Sequence, residues 1–254
     1  MTSAITPVIL TYNEAPNLAR TLERLRWADQ VVVLDSFSTD DTEQIARSHP
    51  NTVFHQRTFD DHAKQWNYGV NLAKTEWVLS LDADYVLQPG LVSELESLEP
   101  DPAACAYYIR FRYCVFGKPL RASLYPSRAA LFRKGRCRYV LDGHTQRLEI
   151  DGATASLENG IDHDDRKPLS RWLWSQDRYA AAEVDKLLGA PADSLSMQDK
   201  LRRLVVVAPF AALIYSLLIR GTVLDGPAGW HYAFQRMTAE LILSLRLLER
   251  KLLS

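Results

Sequence analysis

An α/β fold is predicted, with a mostly parallel, doubly wound sheet early in the chain and helices at its end. Three observations predict it. Short apolar runs alternate with helical segments from Ile5 to about Leu98, aromatic and β-branched stretches broken by glycine and proline fill Ala106 to about His163, and the pattern after Pro168 is helical to the end. Strand and helix alternation of the first kind is the signature of parallel pairing.

The predicted strands are Ile5 to Thr11, Gln30 to Leu34, Thr52 to His55 and Trp77 to Leu81, all compact apolar runs of the length and composition of buried strands. Between them lie helices over Pro16 to Leu25, Thr39 to Ser48 and Asp61 to Ala73. Pro16 suits a first helical turn, and Asn13 is a candidate cap. From Ala106 to His163 the interruptions at Gly117, Pro119, Pro126, Gly135, Gly143, Gly152 and Gly160 predict mixed or antiparallel strands and loops. The organisation is thus a sheet region over 1–167, divisible into 1–100 and 101–167, followed by a helical region over 168–254.

Within that last region Leu204 to Ile219 is uncharged and bracketed by Arg202, Arg203 and Arg220. Its length as a helix is about 24 Å, short of the roughly 30 Å of a bilayer's hydrocarbon core. The expectation is a membrane-associating segment, either a hairpin dipping into one leaflet or an interfacial helix. Met237 to Leu253 reads as an amphipathic helix with Leu241, Ile242, Leu245, Leu248 and Leu252 on one side. Packing on the sheet or across a dimer interface is the alternative for both segments.

Charge is nearly balanced, with 30 basic and 31 acidic residues, and no nucleic-acid module is recognisable, so nucleic acid is not an expected partner. The apolar share of 47% is ample for a core. Cys105, Cys114 and Cys137 lack metal-ligand spacing and are odd in number, which suits a reducing compartment. The start of the chain enters a strand-like run without a signal-like segment, and the expectation is that the sheet region is not exported.

Three polar clusters follow predicted strands: Thr11-Tyr12-Asn13-Glu14 after the first, Asp35-Ser36-Phe37-Ser38-Thr39-Asp40-Asp41-Thr42 after the second, and Asp82-Ala83-Asp84 after the fourth. Parallel strands bring all three to one edge, where open α/β sheets bind ligands. A nucleotide would find there an aromatic or hydroxyl group for its base, a carboxylate for a base N–H or ribose hydroxyl, and hard oxygen ligands for Mg2+ or Mn2+ on its diphosphate. Taken alone, Asp82 and Asp84 equally suit capping of the next turn, and Asp35 suits capping with Ser38 and Thr39.

In order and spacing these clusters resemble family 2 glycosyltransferases of the GT-A fold, a Rossmann-like, mostly parallel sheet. The resemblance implies that Thr11, Tyr12 and Asp35 hold the nucleoside, with Asn13, Glu14 and Ala83 beside them. Asp82 would contact ribose or metal, and Asp84 the cation. Phe59 to Gly69 resembles a further family region, which brings Gln65 and Asn67, with Lys64, toward the donor. A late histidine completes the metal site in several such enzymes, which implies His163. The halves 1–100 and 101–167 would then serve donor and acceptor.

The tail from Arg220 to Ala233 resembles the ends of lipopolysaccharide-core glucosyltransferases of the same family, which act at the cytoplasmic membrane face on lipid-linked acceptors. That subgroup often carries Val-His-Glu before an Arg-Leu strand. Here the stretch is Leu141-Asp142-Gly143-His144-Thr145-Gln146-Arg147-Leu148, with Gln146 at the expected acid. An amide cannot accept a proton, and inverting transfer needs a base, so Asp142 and then His144 are the catalytic candidates. Asp142-Gly143 is also an ordinary turn dipeptide. Arg110, Arg112, Arg121, Arg128, Arg133, Arg136 and Arg138, interleaved with tyrosines, suit either an acidic glycan acceptor or solvated strand faces.

The reading is a metal-dependent inverting glycosyltransferase using a nucleotide sugar, expected to be UDP-linked, and a lipid-linked saccharide of the cell envelope at the cytoplasmic face of the inner membrane. Attachment would be peripheral or re-entrant, and homo-oligomerisation is open. Transfer to polyprenyl phosphate and an inactive GT-A scaffold are the rivals. A nucleotidyltransferase would need a glycine-rich phosphate loop near the first strand, and Thr6 to Asn17 contains no glycine.

Overall fold

The computed structural model describes residues 4–121, 125–142, 145–189, 191 and 195–253, with the side chains of Asp142 and Thr145 outside that description. The chain forms two compact units, residues 1–114 with 124–166, and residues 115–123 with 167–254. The first holds the sheet. The second holds the helices, with the segment 115–123 grouped among them.

The elements of the sheet unit are β1 (Ile5–Thr11), α1 (Leu18–Glu23), β2 (Val31–Asp35), α2 (Thr42–Ser48), β3 (Thr52–Gln56), α3 (His62–Leu72), β4 (Trp77–Asp82), β5 (Tyr85–Leu87), α4 (Pro89–Glu96) and β6 (Ala104–Val115). After the two-residue strand β7 (Lys118–Pro119) come β8 (Arg128–Arg133), β9 (Cys137–Asp142), β10 (Thr145–Ile150) and β11 (Ala153–His163). Eight strands run in the order β3-β2-β1-β4-β8-β6-β11-β5, and β9 and β10 form a separate hairpin. β3, β2, β1 and β4 are mutually parallel. β8 is antiparallel to both β4 and β6, β11 is parallel to β6, and β5 is antiparallel to β11.

The apolar runs of β1, β2 and β4 are continuous because both faces of the sheet are covered. Ile5, Ile9, Val31, Val33, Leu79 and Leu81 pack with Leu18 and Leu22 of α1 and Leu91 and Leu95 of α4. The alternate residues Val8, Val32 and Val78 pack with Ala63, Trp66 and Val70 of α3. A Cβ on Gly69 would lie 2.9 Å from Val8 Cγ1, so α3 sits closer to β1 than a side chain there would allow. Register sets the site: Thr11 pairs with Asp35, Leu10 with Asp82, and Asp35 with Gln56, so the strand ends fall on one edge.

The helical unit contains α5 (Leu169–Gly189), α6 (Met197–Arg203), α7 (Val207–Ile214) continued by a π turn over Tyr215–Ile219, a 3-10 turn over Thr222–Asp225, and α8 (Gly226–Leu253). Its core is Ala180, Val184, Leu187, Leu195, Val205, Leu243 and Leu247. Arg202 forms a buried ion pair with Glu240 at 2.8 Å and reaches Glu183 at 3.3 Å. The sequence assigned the helix 237–253 an apolar side through Leu241, Ile242, Leu245, Leu248 and Leu252; Ile242 packs against this core. Those four leucines are exposed, while Glu240, Leu243, Ser244 and Leu247 face inward. Leucine recurs around the whole helix, and the ion pair with Arg202 draws the Glu240 side in.

Leu204, Val206, Phe210, Ile214, Leu218 and Ile219 are also exposed. No single helix among the described residues is long and apolar enough to cross a membrane. Only together, bent by 72° at their junction, do Val207–Ile219 and Thr222–Leu253 have the length and composition of a span.

Candidate active site

One end of the site is built from the loops that leave β1 and β2. Asp35 is fully buried. Its carboxylate accepts hydrogen bonds from Thr11 Oγ1 at 2.9 Å, from the Ser38 backbone N–H at 2.8 Å, from Ser38 Oγ at 2.5 Å and from Gln56 Nε2 at 3.5 Å. Asn13, at φ 56°, closes the second lacing. Its backbone N–H donates to Ser38 Oγ at 2.8 Å, and its Oδ1 accepts from the Thr39 N–H at 2.8 Å. Asn13 therefore caps the start of the segment leading to α2 rather than α1, whose flanking residue is Asn17.

Glu14 and Ala15 donate their backbone N–H groups to Thr42 Oγ1 and Asp40 Oδ2. Asp40 is thus part of this lacing. Tyr12 and Phe37 are left 46% and 52% exposed at the same edge. Arg57 is the first residue past β3, and its N–H donates to the Asp35 carbonyl at 3.0 Å.

At the other end, Asp84 Oδ2 lies 3.1 Å from His163 Nε2, and both residues are largely buried. The pairing follows from topology, since β5 and β11 are antiparallel with Tyr85 opposite His163. The Asp164 N–H donates to the Asp84 carbonyl at 3.0 Å, and Thr21 Oγ1 donates to the Ala83 carbonyl at 2.6 Å. Rings of Tyr85, Tyr113 and Tyr125 surround the imidazole edge-on at 5.2, 5.0 and 4.8 Å. The Tyr85 and Tyr125 hydroxyls are 2.5 Å apart, and burial pushes the Tyr125 phenol up to about 12.

Charge at this corner is held against its environment. Burial and then the neighbouring Asp84 carboxylate raise the Asp82 pKa. For His163, burial alone would depress the imidazole, but the charge of Asp84, its hydrogen bond and the charge of Asp82 outweigh that and leave it raised.

A divalent cation fits this donor set. Carboxylate oxygen with one imidazole suits Mn2+, and Mg2+ through the oxygens. Two adjacent ligands of an octahedral ion, each at about 2.1 Å, stand about 3.0 Å apart, close to the 3.1 Å between Asp84 and His163. The buried His163 Nδ1 has no hydrogen-bond partner among the described residues. No three His, Cys, Asp or Glu side chains among the described residues already converge as a complete cluster. What is assembled is the Asp84–His163 pair, with Asp82 close enough to shift its charge.

A second network, absent from the sequence reading, holds the His163 strand end. Asn17 is fully buried; its Nδ2 donates to Glu14 Oε2 at 3.0 Å and to Asp165 Oδ1 at 2.9 Å. Its Oδ1 accepts from Arg20 at 2.8 Å and from the Arg166 N–H at 2.9 Å. Arg20 pairs with Asp164 at 2.7 Å. The contacts of Asn17 and Arg20 to Asp164, Asp165 and Arg166 join residues more than 140 positions apart, which no local motif encodes.

The α3 residues depart from the roles the resemblance implied. Gln65 is fully buried, donating to Ser36 Oγ at 3.2 Å and bonded to Arg57. Asn67 spends both side-chain atoms on the Tyr139 backbone, donating to its carbonyl at 2.8 Å and accepting from its N–H at 2.9 Å. It anchors the β9–β10 hairpin, and Trp66 stacks on Tyr139 at 5.3 Å beside it. Lys64 pairs with Asp61 at 2.8 Å. Each of these polar groups is spent within the fold, Gln65 on the β2 and β3 exits, Lys64 on its own helix start and Asn67 on the hairpin, whose backbone is a partner invisible in the linear pattern.

The model for glycosyl transferase family 2 matches residues 6–147, more than half of the chain. The chain belongs to that family. The family's matched region contains every strand end described above except His163.

Among curated relatives, glycosyltransferases of Rickettsia bellii and Rickettsia felis, both uncharacterized, are each 34% identical, over 97 and 93 residues. These matches take in 38% and 36% of this chain, and the chain spans about a third of the relatives' length, 33% and 32%. Among solved structures, S. aureus TarS 1-349 in complex with UDP-GlcNAc aligns with 98% of this chain and 91% of its own, at 14% identity and a TM-score of 0.48. The Mycobacterium tuberculosis glucosyl-3-phosphoglycerate synthase in complex with Mn2+, UDP and glucosyl-3-phosphoglycerate aligns with 76% and 82%, at 15% identity and a TM-score of 0.44.

Asp142 ends β9, and its backbone pairs with Thr145 across the hairpin. His144, and the side chain of Asp142, lie outside the described residues. Gln146 pairs with Leu141 on the same hairpin.

Proposed function

We propose that this family 2 member is a metal-dependent inverting glycosyltransferase. It takes a sugar from a nucleotide-sugar donor, expected to be UDP-linked, to a lipid-linked saccharide such as a lipopolysaccharide core at the cytoplasmic face of the inner membrane. The observation that carries the reading is the pairing of a nucleoside-side carboxylate, Asp35, with a diphosphate-side pair, Asp84 and His163, on one strand-end edge. Ligands of open α/β sheets bind at that edge.

Asp84 and His163, assisted by Asp82, would hold Mg2+ or Mn2+. The cation, when bound, neutralises charge on the departing diphosphate. Thr11, Tyr12 and the Asp35 loop orient the nucleoside, and the tyrosines around His163 keep water from the diphosphate corner. Asp142 or His144 takes the proton from the acceptor hydroxyl as it attacks the anomeric carbon. Membrane contact is supported by the exposed apolar side chains of Leu204, Val206, Phe210, Leu218 and Ile219. An interfacial segment would bring a lipid-linked acceptor to the enzyme at high effective concentration.

The test is a panel of nucleotide sugars screened for thermal stabilisation with and without Mn2+. A cognate donor at about 100 times its Kd adds about 2.7 kcal/mol, and the metal-dependent part is expected to vanish in Asp84→Ala. If no nucleotide sugar stabilises the protein with either cation, the donor assignment fails.

A further inference from the structure

Phe37 is held at φ 59°, in the left-handed region, with its side chain 52% exposed. A bulky residue there is a conformational outlier that glycine or asparagine would adopt with little cost. The fold explains the conformation. The Ser38 N–H and Oγ must both turn back onto the buried Asp35 carboxylate, and the chain reverses at residue 37 to let them. It does not explain the ring, which stacks on no other aromatic among the described residues.

A strained residue retained where a relaxed one would serve points to function at that position. Phe37 lies two residues past Asp35, on the loop laced to the β1 exit through Asn13 and Ser38, one residue after Tyr12. It is therefore the second exposed aromatic of the same corner. The β2 and β4 exits are separated by β1 alone. At about 4.8 Å per strand they lie roughly 10 Å apart, which suits a nucleotide with its diphosphate at Asp84 and its base at β2.

We infer that Phe37 is a nucleobase-binding residue, giving the donor's base an aromatic surface beside Tyr12. The inference rests on the nucleotide-sugar reading of the site. Stacking accepts any base, since each presents a π face, so Phe37 contributes affinity for the nucleoside without selecting among bases.

The test compares Phe37→Gly and Phe37→Asn, which relieve the backbone strain and remove the ring, with Phe37→Tyr, which keeps both. UDP and inorganic diphosphate are titrated into each with Mn2+ present, and thermal unfolding is recorded without ligand. Expected is a UDP affinity weakened roughly tenfold or more in the first two variants, unchanged binding of inorganic diphosphate, an unfolding temperature equal to or above wild type, and Phe37→Tyr within about threefold of wild type.

UDP binding as tight as wild type in Phe37→Gly and Phe37→Asn overturns the inference and leaves the donor reading intact. So does a raised KM for acceptor with UDP affinity unaltered, which would assign the ring to the acceptor sugar. Absence of binding of UDP, GDP, ADP and CDP to the wild type overturns both readings.

Discussion

Asp35 shows how one residue serves fold and site together. A buried carboxylate is tolerated only when its oxygens are satisfied. Here Thr11, Ser38 and Gln56 supply the donors, and they come from three successive strand ends. Asp35→Asn keeps the shape but turns one acceptor into a donor facing donors. It is expected to cost roughly 2–3 kcal/mol, the scale of hydrogen bonds to a charged group. Urea unfolding checks this as a lower midpoint with an unchanged slope. A variant as stable as wild type would mean that the Asp35 charge is not what holds the two loops together. The motif containing Asp35 was legible in the sequence because Ser38, which bonds it through both N–H and Oγ, is three residues away. The Asn17 hub was not, since Asp164, Asp165 and Arg166 reach it only after the whole sheet has formed.

At the scale of elements, the parallel strands and their crossover helices were readable because each buried strand is a continuous apolar run bounded by polar loops. β2 is predicted at Gln30 to Leu34 and observed at Val31–Asp35, a shift of one residue. The last helix was readable as a helix, but its buried side through Glu240, Leu243, Ser244 and Leu247 was not, since leucines lie on several of its sides. The hairpin depends on α3 in a way no pattern reveals. Asn67→Ala would remove both hydrogen bonds to Tyr139 and leave its N–H and carbonyl unpaired, a loss of about 1–3 kcal/mol. Faster hydrogen exchange at the Tyr139 amide, with β1 and β2 amides unchanged, is the expected signature. Because the same hairpin carries Asp142, kcat is expected to fall more than the donor KM rises. A donor KM that rises while kcat holds would return Asn67 to the donor site.

For the whole molecule, groups of opposite sign set the dependence of stability on pH. Asp199 is held below the usual carboxylate range, since the Ser196 hydrogen bond and the charges of Lys186 and Arg202 outweigh its burial. Glu94 is lowered too, against its burial, by the backbone N–H groups of Glu158 and Asn159 and the side chain of Asn159. Depressed carboxylates contribute stability that is present above their unfolded values near 4 and lost as pH falls through the folded ones. Asp82 and His163 are raised. Their contribution is fully present below the unfolded values, about 3.9 for Asp and 6.5 for His, and is lost as pH rises through the folded ones. The cation-free protein is therefore expected to lose thermal stability as pH rises from the unfolded values of these two groups, near 3.9 and 6.5, through their raised folded ones. Asp82→Asn should flatten the lower part of that decline and His163→Gln the upper part. A divalent cation held by Asp84 and His163 would compete with the imidazole proton, so Mn2+ added on the alkaline side is expected to restore what the rise in pH removed, and to restore nothing in Asp84→Ala. An unfolding temperature that climbs steadily through this range without cation would show that the corner does not store charge in need of a metal.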